Sequence, residues 1–186
     1  MDEFKIMSDG LKIALKHAYV AGDILKVRVI QGMYAESLVA EKLLEKGYTF
    51  KFHRRPDLLV CGAYGVEVKC GKLFRHHASA KFGTGKQIRE KEFSHCVWVI
   101  IDKDSLEPVK RFVFTVDELK ECATPRPRMT GKYKNIPCIL FFYKNFEDLV
   151  KESEKAGEPI FDIEKKLHYH PKEFEERWDK IPCKAT

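Results

Sequence analysis

The sequence predicts an α/β fold in which a mixed central β-sheet is flanked by helices. Segments with helical periodicity alternate along the chain with short apolar runs, which is typical of this class. At 186 residues the chain is long enough for one domain with a substantial core. Its longest apolar runs, residues 97–101 and 139–143, are far shorter than the ~20 residues that a membrane-spanning helix needs.

The predicted elements follow one another along the chain. Residues 8–20 and 30–46 have helical periodicity, and Gly47 occupies the usual position after a helix C-terminus. Further helices are predicted at 86–94, 116–122, 145–155 and 171–179. Strands are predicted at 48–53, 58–61, 66–70, 97–101, 111–115 and 137–143, with a loop at 124–134 that carries two prolines and a glycine.

The predicted hairpin at residues 57–70 carries three charged side chains on otherwise apolar strands. An apolar run begins after Pro56 and Asp57, a glycine-containing turn follows, and small apolar residues then alternate with Glu67 and Lys69. Since residues i and i+2 of a strand share a face, Glu67 and Lys69 point the same way, and Asp57 opens the partner strand. One interpretation is a half-buried hairpin with an Asp–Lys pair across the strands.

The alternative interpretation of the hairpin is a metal site. Asp57 and Glu67 would repel each other at close range, and Lys69 compensates only partly. A hard divalent cation such as Mg²⁺ would relieve this repulsion, because it binds carboxylate oxygens and carbonyl oxygens, here including the backbone carbonyl of Val68. Lys69 would then orient the attacking water or stabilise the charge that develops on a phosphate.

The triplet Glu-x-Lys has little specificity on its own in a chain with 34 Lys plus Arg and 28 Asp plus Glu. It also occurs at residues 118–120 and 164–166. The occurrence at Glu67 differs in its context, because valines flank the glutamate and Pro-Asp begins the preceding strand. The information therefore lies in the strand context and not in the triplet.

Glu36 is a third candidate acid. It lies within the apolar arc of the helix at 30–46, which comprises Met33, Val39, Ala40, Leu43 and Leu44. A carboxylate on a core-facing stripe is costly unless it is paired or bound to a metal. The position predicts either a salt bridge to a Lys or Arg at the core edge, or a further acid directed at the same metal.

A helix with an acid, then Pro-Asp on one strand and Glu-x-Lys on the next, resembles the PD-(D/E)XK nuclease superfamily. The matching residues are Glu36, Asp57, Glu67 and Lys69. The runs at 32–36, 46–47 and 65–69 look most similar to archaeal Holliday-junction resolvases, and the similarity covers about residues 27–102. The resemblance implies a restriction-endonuclease-like core, with residues 103–186 as a C-terminal α/β elaboration of the same single domain.

The resemblance also implies a function. Members of this superfamily cleave double-stranded or branched DNA with Mg²⁺, for which Mn²⁺ substitutes, and often act as homodimers. By similarity, Asp57, Glu67 and Glu36 bind or position the metal and Lys69 assists the nucleophile. Gln87, just after Gly83-Thr84-Gly85, would orient water or the scissile phosphate. Resolvase-like action in repair or recombination, a type II restriction-type endonuclease, a non-catalytic DNA-binding module on the same fold and a structural α/β protein remain as alternatives.

The distribution of charge agrees with a polyanionic partner. The formal net charge is +6, and between residues 54 and 89 the only acids are Asp57 and Glu67. Contacts from basic residues to phosphates would give salt-dependent affinity with little sequence preference. The candidate DNA-binding residues are Arg54, Arg55, Lys72, Arg75, His76, Lys81, Lys86, Arg89, Arg126, Arg128 and Lys132.

The start of the chain and its cysteines predict the compartment. The acidic N-terminal residues include no apolar signal region, so a cytoplasmic protein is expected. The six cysteines contain no C-x-x-C pair, which argues against a zinc or iron–sulfur site. In a reducing compartment these cysteines are expected to remain thiols.

Overall fold

The computed structural model describes residues 2–73, 77–81, 92–122, 124–125, 137–142 and 174–183. The predicted helix at 145–155 and most of the one at 86–94 lie outside these residues, as does most of the predicted loop at 124–134. Within the described part, the chain begins with two helices and continues into β-strands, which confirms the α/β class. None of the helices described is long and apolar enough to cross a membrane.

The first two helices are longer than their sequence patterns predict. Helix α1 spans Asp2–Val20 and helix α2 spans Ile24–Glu45. The carboxylate of Asp23 accepts the backbone N–H of Lys26 and so caps the start of α2. Gly47 follows the last turn with a φ of 81°, a left-handed conformation that favours glycine. The third helix, α3, is Val116–Cys122, as predicted.

In the part of the chain that the structure describes, eight strands form two sheets. In chain order they are β1 (Phe50–Phe52), β2 (Leu58–Val60), β3 (Tyr64–Leu73), β4 (His77–Lys81), β5 (His95–Asp102), β6 (Pro108–Thr115), β7 (Thr124–Pro125) and β8 (Pro137–Phe142). The larger sheet has the order β1-β2-β3-β5-β6 and is mixed, because β3 and β5 are parallel while the other neighbours are antiparallel. The smaller sheet has the order β4-β8-β7.

The larger sheet separates two hydrophobic clusters. Alternate residues of β5 enter each, since Val97, Val99 and Ile101 belong to the cluster that packs against α1 and α2. Cys96, Trp98 and Ile100 belong to the cluster on the other side, near α3. Burial on both sides explains why residues 96–101 of β5 form a continuous apolar run, whereas residues 66–70 of β3 alternate because Glu67 and Lys69 lie on one side.

The segment 174–183 completes the first cluster without forming the predicted α-helix. Trp178 and Ile181 are buried there, and the hydroxyl of Tyr48 donates to the carbonyl of Trp178 at 2.8 Å. The segment contains a bridge between Phe112 and Glu175 and a 3₁₀ turn at Trp178–Lys180. The prediction of a helix at 171–179 is therefore wrong for its described part, because packing and strand contacts override local propensity.

Two cysteines differ from the expectation that all remain thiols. Cys61, in the turn between β2 and β3, forms a disulfide with Cys183 across 122 residues of sequence. Among the cysteines with described side chains, Cys70 and Cys96 are free, and Cys96 is buried. The disulfide joins the hairpin of the candidate site to the segment that carries Trp178, so it adds a covalent tie to a contact that packing already makes.

Candidate metal and catalytic site

Asp57 lies directly before β2, where the chain passes close to β3. The ring of Pro56 packs against Gly65 so tightly that a Cβ at residue 65 would lie 2.6 Å from Pro56 Cγ. Such a distance is shorter than real Cβ contacts allow, so this approach requires glycine at residue 65. The register pairs Leu58 with Val66, which brings Asp57 beside Glu67. The close approach of Pro56 to β3 therefore positions the first candidate acid.

The carboxylate of Asp57 is anchored to the backbone of β3. Its Oδ2 accepts the N–H of Val68 at 2.7 Å. In an extended strand the N–H and C=O of one residue point to the same edge, so the carbonyl of Val68 faces the edge where Asp57 lies. Asp57 and the carbonyl of Val68, both predicted as metal ligands, therefore share one edge of β3.

Glu67 and Lys69 lie on the same face of β3 and form an ion pair. In the register with β5 they neighbour Cys96 and Trp98, two fully buried residues. Glu67 is only 5% exposed, so its charge is held almost entirely inside the protein. The predicted shared face of Glu67 and Lys69 is confirmed, and their ion pair lies against an apolar wall where electrostatic interactions are strong.

Glu36 lies within electrostatic range of this hairpin. Burial first, and then the charges of Asp57 and Glu67, raise the pKa of the Glu36 carboxyl to about 7, while the charge of Lys69 opposes them. Glu36 is half-buried on α2, and Val39, Ala40 and Leu43, which follow it by three, four and seven residues on the same face, are buried as predicted. The predicted apolar arc is wrong in one member, because Met33 is 49% exposed while Tyr34, Ala35 and Leu38 are buried instead.

The four charged groups leave an excess of negative charge. Burial and then the charge of Glu67 raise the pKa of Asp57, against the hydrogen bond from Val68 and the charge of Lys69. Burial acts to lower the pKa of Lys69, but the charge and hydrogen bond of Glu67 outweigh it, so that pKa lies above its ordinary value. The Lys69 ammonium, which is the one cation beside three carboxylates, therefore stays protonated, while the carboxyls of Asp57 and Glu36 are harder to ionise.

The donors present suit a hard cation with few protein ligands. Within the described ranges, no three His, Cys, Asp or Glu side chains are grouped closely enough to hold a metal ion by themselves. Mg²⁺ commonly takes one or two carboxylates and completes its shell with water and phosphate oxygens. Asp57, Glu67 and the Val68 carbonyl fit this pattern, and the raised pKa of Asp57 indicates that a positive charge would be favourable there.

The four candidate DNA-binding residues that the structure describes lie on three different parts of the chain. Arg54 and Arg55 are exposed and are separated from Asp57 in sequence by Pro56. Lys72 lies on the opposite face of β3 from Glu67 and Lys69, and its Nζ is 3.3 Å from the ring centroid of Tyr19. Lys81 is the last residue of β4. Outside the described residues lie Gln87 and the basic residues Arg75, His76, Lys86, Arg89, Arg126, Arg128 and Lys132.

Sequence reasoning missed two residues that shape the site. Gly65 was assigned to a turn, but it lies in β3 and admits Pro56. Cys96 had no predicted role at the site, but it lies beside Glu67 in the register and is fully buried. Neither role has a local signal, because each depends on a residue that packs against it from another strand or segment.

A separate cavity of about 240 Å³ lies between α1, α2 and the start of β6. None of the four candidate site residues lines it, and its walls carry charges of both signs. The lining includes Lys12, which is ion-paired with Glu107, and Tyr34, whose hydroxyl donates to the carbonyl of Leu106. These contacts hold α1 and α2 against the sheet, so the cavity walls are part of the helix packing.

Comparison with known proteins identifies no family. No protein-family model matches the chain, and no curated protein matches it in sequence.

Proposed function

We propose that the chain is a metal-dependent endonuclease that hydrolyses phosphodiester bonds in DNA, on a restriction-endonuclease-like core. The observation that carries this proposal is the adjacency of Asp57 and Glu67 where the chain enters β2 beside β3, with Lys69 paired to Glu67. The pKa values of Asp57 and Glu36 are raised, so a bound cation would stabilise the ionised form of each carboxyl. A purely structural ion pair would need no third and fourth charged group.

Each residue takes a distinct role in this proposal. Asp57, Glu67 and the Val68 carbonyl would hold Mg²⁺, and a bound Mg²⁺ would neutralise phosphate charge and lower the pKa of a water ligand. Lys69 orients the attacking water and stabilises negative charge on the phosphate, because Glu67 keeps its ammonium protonated. Glu36 helps to place the cation or its water from the α2 side. Gln87 is proposed to orient the scissile phosphate.

The substrate follows from charge. The surplus of basic residues favours a polyanion, and Arg54 and Arg55 are exposed next to Asp57, where a phosphate backbone would pass. We place the activity on branched or duplex DNA in repair or recombination, with Mn²⁺ as a substitute for Mg²⁺. By the same proposal the active form is a homodimer, since two symmetric nicks need two sites.

The test is a cleavage panel. Purified protein is incubated with a four-way junction, a flap, a duplex and a single strand, each in Mg²⁺, in Mn²⁺ and in EDTA. We expect cleavage of at least one substrate in either metal, none in EDTA, and preference for the junction if the activity is resolvase-like. Lys69→Ala should lose cleavage and retain DNA binding, measured by fluorescence anisotropy.

The matched control is Lys180→Ala, because Lys180 is also paired with a glutamate but lies among residues of α3 and the segment 174–183. This variant should cleave at the wild-type rate once its folding has been verified by circular dichroism. The proposal fails if the wild-type protein cleaves none of the four substrates. It also fails if Lys69→Ala cleaves as fast as Lys180→Ala.

A further inference from the structure

Helix α1 carries an apolar stripe on the side that faces away from the protein. Ile6, Ile13 and Val20 are spaced seven residues apart and are 70%, 59% and 90% exposed. The opposite side of the helix supplies the core contacts, through Leu15 and Ala18. Residues seven apart lie on one helix face, so these three side chains line up along α1, with Asp9, Gly10, Lys16 and His17 between them, and all three are exposed. Exposed apolar surface of this kind marks an interaction site.

The stripe is symmetric about Ile13. Ile6 precedes Ile13 by seven residues and Val20 follows it by seven. If a second α1 packs antiparallel with a two-fold axis at Ile13, Ile13 meets its own copy and Ile6 meets Val20 of the second chain. A two-fold interface of this type uses one surface twice and closes on itself. Apolar residues therefore meet apolar residues along the whole stripe.

The residues that flank the stripe are complementary in charge under the same symmetry. On one flank, Asp9 lies four residues before Ile13 and Lys16 lies three residues after it, and both are exposed. The two-fold operation keeps each flank on its own side and reverses the direction of the helix. Asp9 of one chain therefore comes opposite Lys16 of the other, and this contact occurs twice.

The other flank explains a glycine in the middle of α1. Gly10 lies three residues before Ile13 and His17 four residues after it, so the symmetry brings the exposed His17 of one chain over Gly10 of the other. A Cβ at Gly10 would meet nothing within 4 Å among the described residues, so no described contact requires glycine there. Glycine is unfavourable inside a helix, but it lets a second helix approach closely.

We infer that α1 is the contact surface for a second copy of this chain, which packs antiparallel to it about a two-fold axis at Ile13. The stripe, the Asp9–Lys16 flank and the Gly10–His17 flank each satisfy the same symmetry operation. The inference needs neither the proposed nuclease function nor the metal site. It names the surface through which the proposed homodimer forms.

The first experiment is self-cross-linking of single-cysteine additions. Ile13→Cys should form a covalent dimer with a short bis-maleimide, because residue 13 faces its own copy. Ile6→Cys alone should not, while a mixture of Ile6→Cys and Val20→Cys chains should cross-link with each other. The wild-type chain under the same reagent reports any cross-linking through native cysteines. Self-cross-linking of Ile6→Cys would overturn the inference, since it indicates parallel helices.

The second experiment exchanges the flanking charges and measures mass against concentration by sedimentation. The wild type should shift from the 21.7 kDa monomer to twice that mass. Asp9→Lys and Lys16→Asp should each weaken the dimer at least tenfold, and the double variant should restore it. Both positions are exposed, so equal thermal melting curves verify that folding is unaffected. A wild-type chain that stays monomeric at all concentrations, or a double variant that is no better than the singles, overturns the inference.

Discussion

Lys69–Glu67 and Lys180–Glu118 are two Lys–Glu ion pairs within the described part of the chain, and their surroundings differ. The carboxylate of Glu118 accepts the backbone N–H of Thr115 at 2.8 Å, the Thr115 hydroxyl and the Lys180 ammonium. Thr115 Oγ1 in turn accepts the N–H of Glu118, which makes a capping box at the start of α3. The carboxylate of Glu67 instead shares its region with two further acids, Asp57 and Glu36.

The difference appears in the pKa values. At Glu118, burial acts to raise the pKa, but the hydrogen bonds from Lys180 and Thr115 outweigh it and the pKa is lowered. At Asp57 and Glu36, burial and neighbouring negative charge raise the pKa instead. The ionised form of Glu118 therefore stabilises the fold, whereas ionised Asp57 and Glu36 destabilise it. A region that destabilises the fold in this way is a candidate for function.

The largest expected effect is on the rate of DNA cleavage, which should distinguish Glu67 from Glu118. Glu67→Gln removes a proposed metal ligand with little change in shape, so DNA cleavage in Mg²⁺ should fall by at least about 100-fold. Glu118→Gln changes the structural pair in the same way and should leave the cleavage rate of folded protein unchanged. Initial rates on the preferred DNA substrate measure both. Equal losses in the two variants would remove the distinction between the pairs.

The second prediction tests the structural role of Glu118 through the free energy of unfolding. Glu118→Gln should lower the free energy of unfolding by about 2 kcal/mol, because it weakens bonds to Lys180 and to the start of α3. The adjacent Asp117→Asn is the control. Asp117 is 69% exposed and pairs with Lys120 within the helix, so its replacement should change stability by no more than about 0.5 kcal/mol. Urea denaturation measures both, and similar values for the two variants would contradict the structural role of Glu118.

The third prediction uses the metal as a ligand of the folded state. Mg²⁺ at ten times its Kd should stabilise the wild type by about 1.4 kcal/mol, because only the folded chain brings the donors together. Glu118→Gln should keep this gain, and Asp57→Asn should lose it. Thermal melting in MgCl₂ is compared with melting in KCl of equal ionic strength, which removes general salt effects. A gain that persists in Asp57→Asn would mean that the cation binds elsewhere.

The smallest expected effect is the pH dependence of Glu36. Its folded pKa of about 7 exceeds the ordinary value of 4.5, so the folded state binds the proton more tightly. Its contribution to stability is then greatest below pH 4.5 and is lost as pH rises through 7. In EDTA at pH 8, Glu36→Gln should stabilise the chain by about 1 kcal/mol, discounted for the exposure of the side chain. The gain should disappear at pH 4.

The control for this pH series is Glu45→Gln, at the exposed end of the same helix. It should follow the wild-type curve at every pH within about 0.5 kcal/mol. Glu118 should contribute in the opposite sense, because its lowered pKa gives stability that is lost as the solution is acidified. A Glu36→Gln curve parallel to that of the wild type would show that Glu36 titrates normally.

Much of the fold could be predicted because its signals are local. The helix at 116–122 was predicted to the residue, and the hairpin of β2 and β3 was predicted from apolar runs that flank a turn. The start of α2 was placed too late, at residue 30, although Asp23 caps the helix with its carboxylate. Residues 24–29 include exposed Ile24, Leu25 and Val29, which disturb the amphipathic pattern on which the prediction relied.

The site was predicted in part for the same reason. The shared face of Glu67 and Lys69 follows from strand geometry alone, and it is confirmed. The bond from Val68 to Asp57 and the close approach of Pro56 to Gly65 depend on three-dimensional contacts that no local pattern encodes. Glu36 was selected because it lies in a predicted apolar arc, one member of which, Met33, is exposed in the structure. The charges of Asp57, Glu67 and Lys69 act on the Glu36 carboxyl, which agrees with its predicted position near the hairpin.

The position of Trp178 has a consequence for the folding of the chain during its synthesis. It fills the cluster between the sheet and the first two helices, and Tyr48 bonds to its carbonyl, across 130 residues of sequence. The N-terminal elements leave the ribosome first, so α1, α2 and the hairpin emerge before Trp178 is available to fill the cluster between them. During synthesis the nascent chain would expose apolar surface until residue 181 has left the exit tunnel. A fragment cut after β6 would expose that surface permanently, and we expect it to aggregate.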